Sequence, residues 1–170
     1  FQPTFTYSVT ADVTDINGET HSGQQNVTVG YSALVINIDV PARLNKNEKD
    51  TFSIKTTNLA GEDEPAQGTV AIYKLKNPGR TFRNRMWERP DKFLMSKSDF
   101  QSDFPQDIYD DENNFYKWEK SNPELYSGGF NTEKSKTLNI EKLASWSQGY
   151  YVLEVKTKDK SGEEVKEIKY

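Results

Sequence analysis

One strand–turn–strand pattern occurs twice in the chain, as YSVTADVTDINGET at residues 7–20 and as YVLEVKTKDKSGEE at residues 151–164. The two copies align without a gap, from residue 7 with residue 151 to residue 20 with residue 164. A Tyr, an Asp, a Gly and a Glu coincide, and apolar residues coincide at Val9/Leu153 and Ala11/Val155. A repeat of this kind indicates a repeated structural unit.

Each copy has the pattern of a β-hairpin. In residues 7–13 apolar and polar side chains alternate, which directs one face of a strand toward a core. Asp15 is suited to begin the turn, because its carboxylate can accept hydrogen bonds from backbone N–H groups that follow it. Gly18 can supply the positive φ that closes the turn. Both copies are therefore predicted to form hairpins.

The positions of the two hairpins predict tandem domains. We expect residues 1–32 to be the C-terminal β-hairpin of a preceding β-sandwich domain, and residues 33–170 to be a complete domain that ends in the second copy. The alternative is a generic hairpin, since Asn-Gly turns are common. Because unpaired strand edges invite pairing, we expect the first hairpin either to pack back on the complete domain or to pair with another copy.

Seven strand patterns follow in the second part of the chain. Five lie at residues 34–38, 51–56, 69–75, 125–130 and 136–140, and the terminal hairpin adds two. Turn signals such as Asn77-Pro78-Gly79 separate them, and no long helical period competes. This spacing predicts an all-β fold, a seven-stranded antiparallel β-sandwich.

A long insertion interrupts the strands at about residues 77–124. It contains nine aromatic residues, so we expect it to be ordered rather than disordered. Ser96 to Asp99 resembles a capping box before a short helix that Pro105 would end, which makes the insertion partly helical. Its rings either form a satellite core or a binding surface, because Trp, Tyr and Arg anchor interfaces. The candidate interaction residues are Arg85, Trp87, Arg89, Phe104, Tyr109 and Trp118.

Charges in the insertion are segregated, with basic residues from Arg80 to Lys97 and acidic residues from Asp99 to Glu112. Four of the acids could offer oxygen ligands to Ca²⁺, although no EF-hand spacing is present. The other interpretation is that they pair with the preceding arginines. The calcium candidates are Asp107, Asp110, Asp111 and Glu112.

Several function classes lack the residues they need. The chain has no Cys, which excludes disulfides, thiol nucleophiles and thiolate metal sites. Its one histidine, His21, lies in a polar stretch, so we expect no catalytic residues, no cofactor and no enzyme. The net charge of −4 argues against nucleic acid as a partner. No apolar run approaches the roughly 20 residues of a membrane span, so no membrane insertion is expected.

The hairpin of residues 7–20, the stretch from Tyr31 to Pro41 and the stretch from Gly149 to Leu153 resemble the tandem macroglobulin domains of bacterial alpha-2-macroglobulin-like proteins. Residues 85–91 and 103–107 are similar to a long-loop variant in Bacteroidetes-type members. The resemblance implies a fibronectin type III-like, immunoglobulin-like sandwich in a large extracytoplasmic protein, in the periplasm or on the outer-membrane surface.

Members of that family trap proteinases, and many carry a thioester. The resemblance therefore implies a non-catalytic scaffold and interface domain, with neighbouring domains of the same chain, and proteinases, as partners. Without a Cys there is no thioester here, and no bait segment is evident. The second hypothesis is a carbohydrate-binding or adhesive module, in which exposed indoles of Trp87 or Trp118 stack on a sugar ring.

Overall fold

The computed structural model describes residues 3–45, 52–140 and 143–170. Thr51, included in one predicted strand, lies outside them. The described residues contain nine strands, one short α-helix and two 3₁₀ helices at Phe115–Lys117 and Leu143–Ser145. The strands are β1 (Thr4–Thr14), β2 (Thr20–Gly30), β3 (Leu34–Asp39), β4 (Phe52–Asn58), β5 (Gln67–Lys74), β6 (Tyr126–Asn131), β7 (Thr137–Leu138), β8 (Tyr151–Lys158) and β9 (Glu164–Lys169), and the helix is α1 (Lys97–Asp103).

The prediction of an all-β, antiparallel chain is confirmed. All strand pairings in the described residues are antiparallel, and they form three sheets rather than two. β1 and β2 form a two-stranded sheet, β3-β4-β7 a three-stranded sheet and β6-β5-β8-β9 a four-stranded sheet.

The three-stranded and four-stranded sheets share one hydrophobic core. Alternation along each strand directs every second side chain into it. From the first sheet come Ile36, Phe52, Ile54 and Leu138, and from the second Val70, Ile72, Phe130, Leu153 and Val155. Trp146, Tyr151 and Val165 pack against its margin, among others.

Hairpin β1–β2 lies apart from that core. All eleven residues of β1 are exposed. The register places Tyr7 opposite Val27 and Phe5 opposite Val29, so these side chains share one face of the ribbon. That face is apolar and uncovered, with Tyr7 59% and Val13 65% exposed. Of the two arrangements expected for this hairpin, packing back onto the rest of the chain is not observed, and pairing with another copy stays a prediction.

The two hairpins have the same turn. In the first, Asp15 Oδ1 accepts hydrogen bonds from the backbone N–H of Asn17 (2.8 Å) and Glu19 (2.9 Å). In the second, Asp159 Oδ1 accepts them from Ser161 (2.8 Å) and Glu163 (3.0 Å). The glycine at the matching position has φ of 86° in the first turn and 88° in the second. The sequence repeat is thus also a repeat of backbone geometry.

The second turn also contacts the residues that directly precede β3. Asp159 Oδ2 accepts a hydrogen bond from the backbone N–H of Ala33 at 3.0 Å, directly before β3. This bond, with those from Glu163 and Ser161, holds the pKa of the Asp159 carboxyl below its usual value. The Asp159 carboxylate therefore holds the backbone at Ala33 in place at the start of β3.

Gly68 in β5 provides a test of this packing. A Cβ at residue 68 would lie 2.0 Å from the Lys156 carbonyl oxygen and 2.9 Å from the Phe130 ring. We predict that Gly68→Ala lowers the free energy of unfolding by about 3 kcal/mol, because backbone must shift to relieve the overlap. Urea denaturation measures the change.

Gly129→Ala in the adjacent strand β6 is the matched control. Its Cβ would meet only the Gly68 carbonyl oxygen, at an ordinary 3.6 Å. This variant should stay within about 1 kcal/mol of the parent chain. Equal effects of the two substitutions would show that β5 and β8 are not packed as described.

Candidate interaction surface

The insertion leaves and rejoins the four-stranded sheet at one place. Beyond the end of β5, the Lys76 N–H donates to the Glu119 carbonyl oxygen at 2.8 Å. On the way back, the Ser121 N–H donates to the Lys74 carbonyl oxygen at 2.7 Å. These bonds bring the two ends of the long segment side by side and fix it to a rigid strand.

The insertion has a first limb that contains Arg80, Arg83 and Arg85, and a second limb that contains residues 105–109. The three arginines of the first limb bind the second limb. Arg80 Nη1 donates to the Pro105 carbonyl oxygen at 2.8 Å. Arg83 Nε donates to Asp107 Oδ1 at 2.7 Å, and its Nη2 lies 2.5 Å from the same oxygen. Arg85 Nη2 donates to the carbonyl oxygens of Ile108 (2.6 Å) and Tyr109 (3.1 Å). The planar, multiply donating guanidinium suits this bonding to carbonyl and carboxylate oxygens.

The helix α1 forms as the sequence predicts. The Ser96 side chain accepts a hydrogen bond from the Asp99 N–H at 3.2 Å, as an N-cap does. The helix ends at Asp103, two residues before Pro105. It places Phe100 against Phe104 and Tyr109, with ring centroids 5.2 and 5.3 Å apart.

A cavity of about 360 Å³ lies between these elements. One wall is the stacked pair of Phe93 and Tyr109, whose centroids are 4.2 Å apart, and the Tyr109 hydroxyl donates to the Met95 carbonyl oxygen. At its mouth several apolar side chains remain in solvent, namely Met86 (89% exposed), Trp87 (68%), Leu94 (101%) and Phe104 (43%). The insertion therefore combines a satellite cluster of rings with an exposed apolar surface.

Four of the six predicted interaction residues line this cavity: Arg85, Trp87, Phe104 and Tyr109. Arg89 lies next to it, with its guanidinium 5.5 Å from the Phe93 ring centroid. Arg85 and Tyr109 are partly buried and support the fold of the insertion, whereas Trp87 and Phe104 are exposed. Sequence reasoning did not select Met86, Phe93, Leu94 and Met95, which also line the cavity.

Trp118 belongs to a different cluster. Its indole N–H donates to the Glu112 carbonyl oxygen at 2.8 Å, and its ring meets Tyr150 edge-on at 5.2 Å. Phe115 stacks on Tyr150 at 4.7 Å and approaches Tyr170. These rings fasten the end of the insertion to residues that flank β8 and β9. No local sequence signal places Tyr150 beside these rings.

The four calcium candidates are paired with basic side chains. Asp107 pairs with Arg83, Asp110 with Arg89, Asp111 with Arg89 and Lys117, and Glu112 with Arg80 and Lys97. The hydrogen bond from Lys117 lowers the pKa of Asp111. Residues 3–45, 52–140 and 143–170 contain no group of three or more acidic or His side chains placed to hold a metal ion. The geometry matches the interpretation in which these acids are partners of the arginines.

Under the insertion, the buried Glu154 on the outer face of β8 binds Lys120 and Lys166, the latter at 3.1 Å. Burial by itself would raise the pKa of this carboxyl, but the two lysine hydrogen bonds outweigh burial and lower it. Lys120 is on the returning limb of the insertion, so this ion pair attaches the insertion to the sheet.

The remaining single-residue candidate, His21, lies exposed on β2 opposite Val13. Within the described ranges, no helix has the length and apolar character needed to cross a membrane. Comparison with family models, with curated proteins and with solved structures gives no match to this chain.

Replacing the buried carboxylate tests how the insertion is attached. We predict that Glu154→Gln lowers the free energy of unfolding by about 1–2 kcal/mol at pH 7, since it removes hydrogen bonds to two charged groups. The folded-state pKa lies below the ordinary value of 4.5. The ionised carboxylate therefore stabilises the fold above pH 4.5, and this stabilisation is lost as the pH falls through the folded-state pKa.

The difference between the parent chain and Glu154→Gln should accordingly shrink below pH 4.5, measured by chemical denaturation across pH. Glu167→Gln is the control, because Glu167 is exposed on β9 and makes no ion pair with any described residue. A stability difference for Glu154→Gln that is independent of pH would contradict the assigned ion pair.

Proposed function

We propose that residues 33–170 are a non-catalytic scaffold and interaction domain of a large alpha-2-macroglobulin-like protein, and that hairpin β1–β2 completes the domain before it. In this proposal the three-stranded and four-stranded sheets form a seven-stranded, fibronectin type III-like macroglobulin sandwich. The insertion is its specialised contact surface. The parent protein acts in proteinase trapping at the cell envelope, in the periplasm or on the outer-membrane surface.

The observation that carries the proposal is the repetition of the hairpin bond for bond. Two turns that share their hydrogen bonds to an Asp carboxylate and their glycine conformation are expected at the ends of equivalent domains. The strand registers also correspond: Val9 pairs with Gln25 as Leu153 pairs with Lys169. This correspondence supports a tandem array in which each domain ends in the same hairpin.

The uncovered face of the first hairpin supports the same interpretation. Tyr7, Val9 and Ala11 correspond to Tyr151, Leu153 and Val155, which face or flank the core in the second copy. A sheet with one apolar face has to bury that face against another layer. We infer that the matching layer is supplied by the preceding domain of the parent protein.

Sequencing the gene on both sides of the region that encodes this chain tests the proposal. We expect an export signal, further copies of the hairpin motif and a long multi-domain array. The purified parent protein should also co-elute with a proteinase such as trypsin after cleavage. A gene with no further hairpin copies, no thioester motif and no domain array would overturn the assignment.

A carbohydrate-binding module is the second candidate, favoured by the 68% exposure of Trp87. A sugar ring stacked on this indole would make glycan binding depend on it. On a glycan array, Trp87→Ala should then abolish binding, whereas Tyr7→Ala, which lies outside the cavity lining, should retain it. Absence of glycan binding by the unmodified chain would remove this candidate.

A further inference from the structure

We propose that the cavity of the insertion binds an acidic protein segment that inserts one apolar or aromatic side chain as an anchor. The inference rests on the proposed role of the insertion as a contact surface and names the chemistry of its partner. Three observations support the proposal: the apolar side chains at the cavity mouth, the ordered walls of the cavity, and the charge of the residues that line it.

The cavity has the size and lining of a site for a compact apolar group. Its volume of about 360 Å³ falls at the small end of the range for ligand pockets. Met86, Trp87 and Leu94 stand at its mouth with at least two thirds of their surface in water. Exposed apolar surface concentrated in this way marks an interaction site. Trp is the residue type most enriched in binding hot spots, and Met adapts its shape to different partners.

The walls of the cavity are already ordered. Arg83 and Arg85 tie the first limb to the second, and Tyr109 is fixed by stacking on Phe93 and by its bond to the Met95 carbonyl oxygen. A partner therefore does not have to order these groups on binding. Such pre-organisation lowers the entropic cost of association.

The charge of the lining selects an acidic partner. Among the lining residues, Arg83 is neutralised by Asp107. Arg85 donates to backbone carbonyl oxygens rather than to a carboxylate, and its charge acts on the nearby Asp111. Lys92 forms no ion pair with any residue that the structure describes. The lining thus carries three basic side chains and one acidic side chain in a chain whose net charge is −4, while the nearby acids Glu88 and Asp91 lie outside the lining.

A protein segment fits this lining better than a sugar does. Binding a sugar requires polar groups that pair with several hydroxyls, because unpaired buried polar groups are costly. Arg83 donates to Asp107 and Arg85 to backbone carbonyl oxygens. Most of the remaining lining is apolar, with Met, Leu, Phe, Trp, Pro and Ile side chains. A side-chain anchor flanked by carboxylates satisfies both the apolar wall and the cationic charges.

Fluorescence anisotropy with the full chain tests the proposal. The probe is a short fluorescein-labelled peptide with one central Trp between pairs of Asp and Glu. The comparison peptides replace the acids by Lys, or the Trp by Ala. We expect the acidic Trp peptide to bind at least tenfold more tightly than either comparison peptide, with affinity that falls as salt is added.

Variants locate the binding. Trp87→Ala should weaken binding of the acidic peptide at least fivefold, and Lys92→Glu should weaken it while improving binding of the basic peptide. The matched controls are Tyr7→Ala, an exposed ring on the hairpin face, and Lys134→Glu, an exposed lysine in the turn after β6. Both should bind as the parent chain does. Circular dichroism confirms that each variant is folded.

Equal binding of acidic and basic peptides would overturn the charge selection, and loss of binding in Tyr7→Ala would assign the peptide to the hairpin instead. Binding of glycans but of no peptide would overturn the proposal in favour of a sugar site. If the gene encodes a domain array but no peptide binds, this inference is rejected and the proposed function stands. If the peptide binds but the gene encodes no such array, the proposed function is rejected and the peptide site stands.

Discussion

An apolar sheet face is stable only when another layer covers it, and this constraint organises the whole chain. In β8 it is met, because Leu153 and Val155 pack against Ile36, Phe52 and Ile54 of the opposite sheet. In β1 it is not met, because the corresponding residues Val9 and Ala11 remain in solvent. The same strand pattern in two environments supports the proposal that the first hairpin belongs to a second core.

The insertion meets the constraint by a different route. Its rings lie outside the main core and form two smaller clusters. One is held by Arg83 and Arg85 and leaves an apolar cavity, and the other packs Phe115 on Tyr150 beside the strands. Glu154, buried beneath Lys120, attaches this assembly to the outer face of β8. The surface of the insertion can therefore change without a change in the main hydrophobic core.

Local features of this fold could be predicted from the sequence, and long-range ones could not. The turns at Asp15 and Asp159 and the N-cap at Ser96 depend on residues two to four positions apart, so their residue types are sufficient. The pairing of Arg83 with Asp107 spans 24 positions, and charge segregation indicated such pairs without identifying partners. Similarly, the half-buried Trp118 packs against Tyr150, and the sequence gives no means of placing these two residues side by side.

Removal of the first hairpin tests whether residues 33–170 fold without it. Thermal unfolding of residues 31–170 should show one cooperative transition with a midpoint within about 2 °C of the full chain, because the described core draws no side chain from β1 or β2. A midpoint lower by about 8 °C or more, or loss of the cooperative transition, would contradict the account. Such a result would show that the hairpin belongs to the same folding unit.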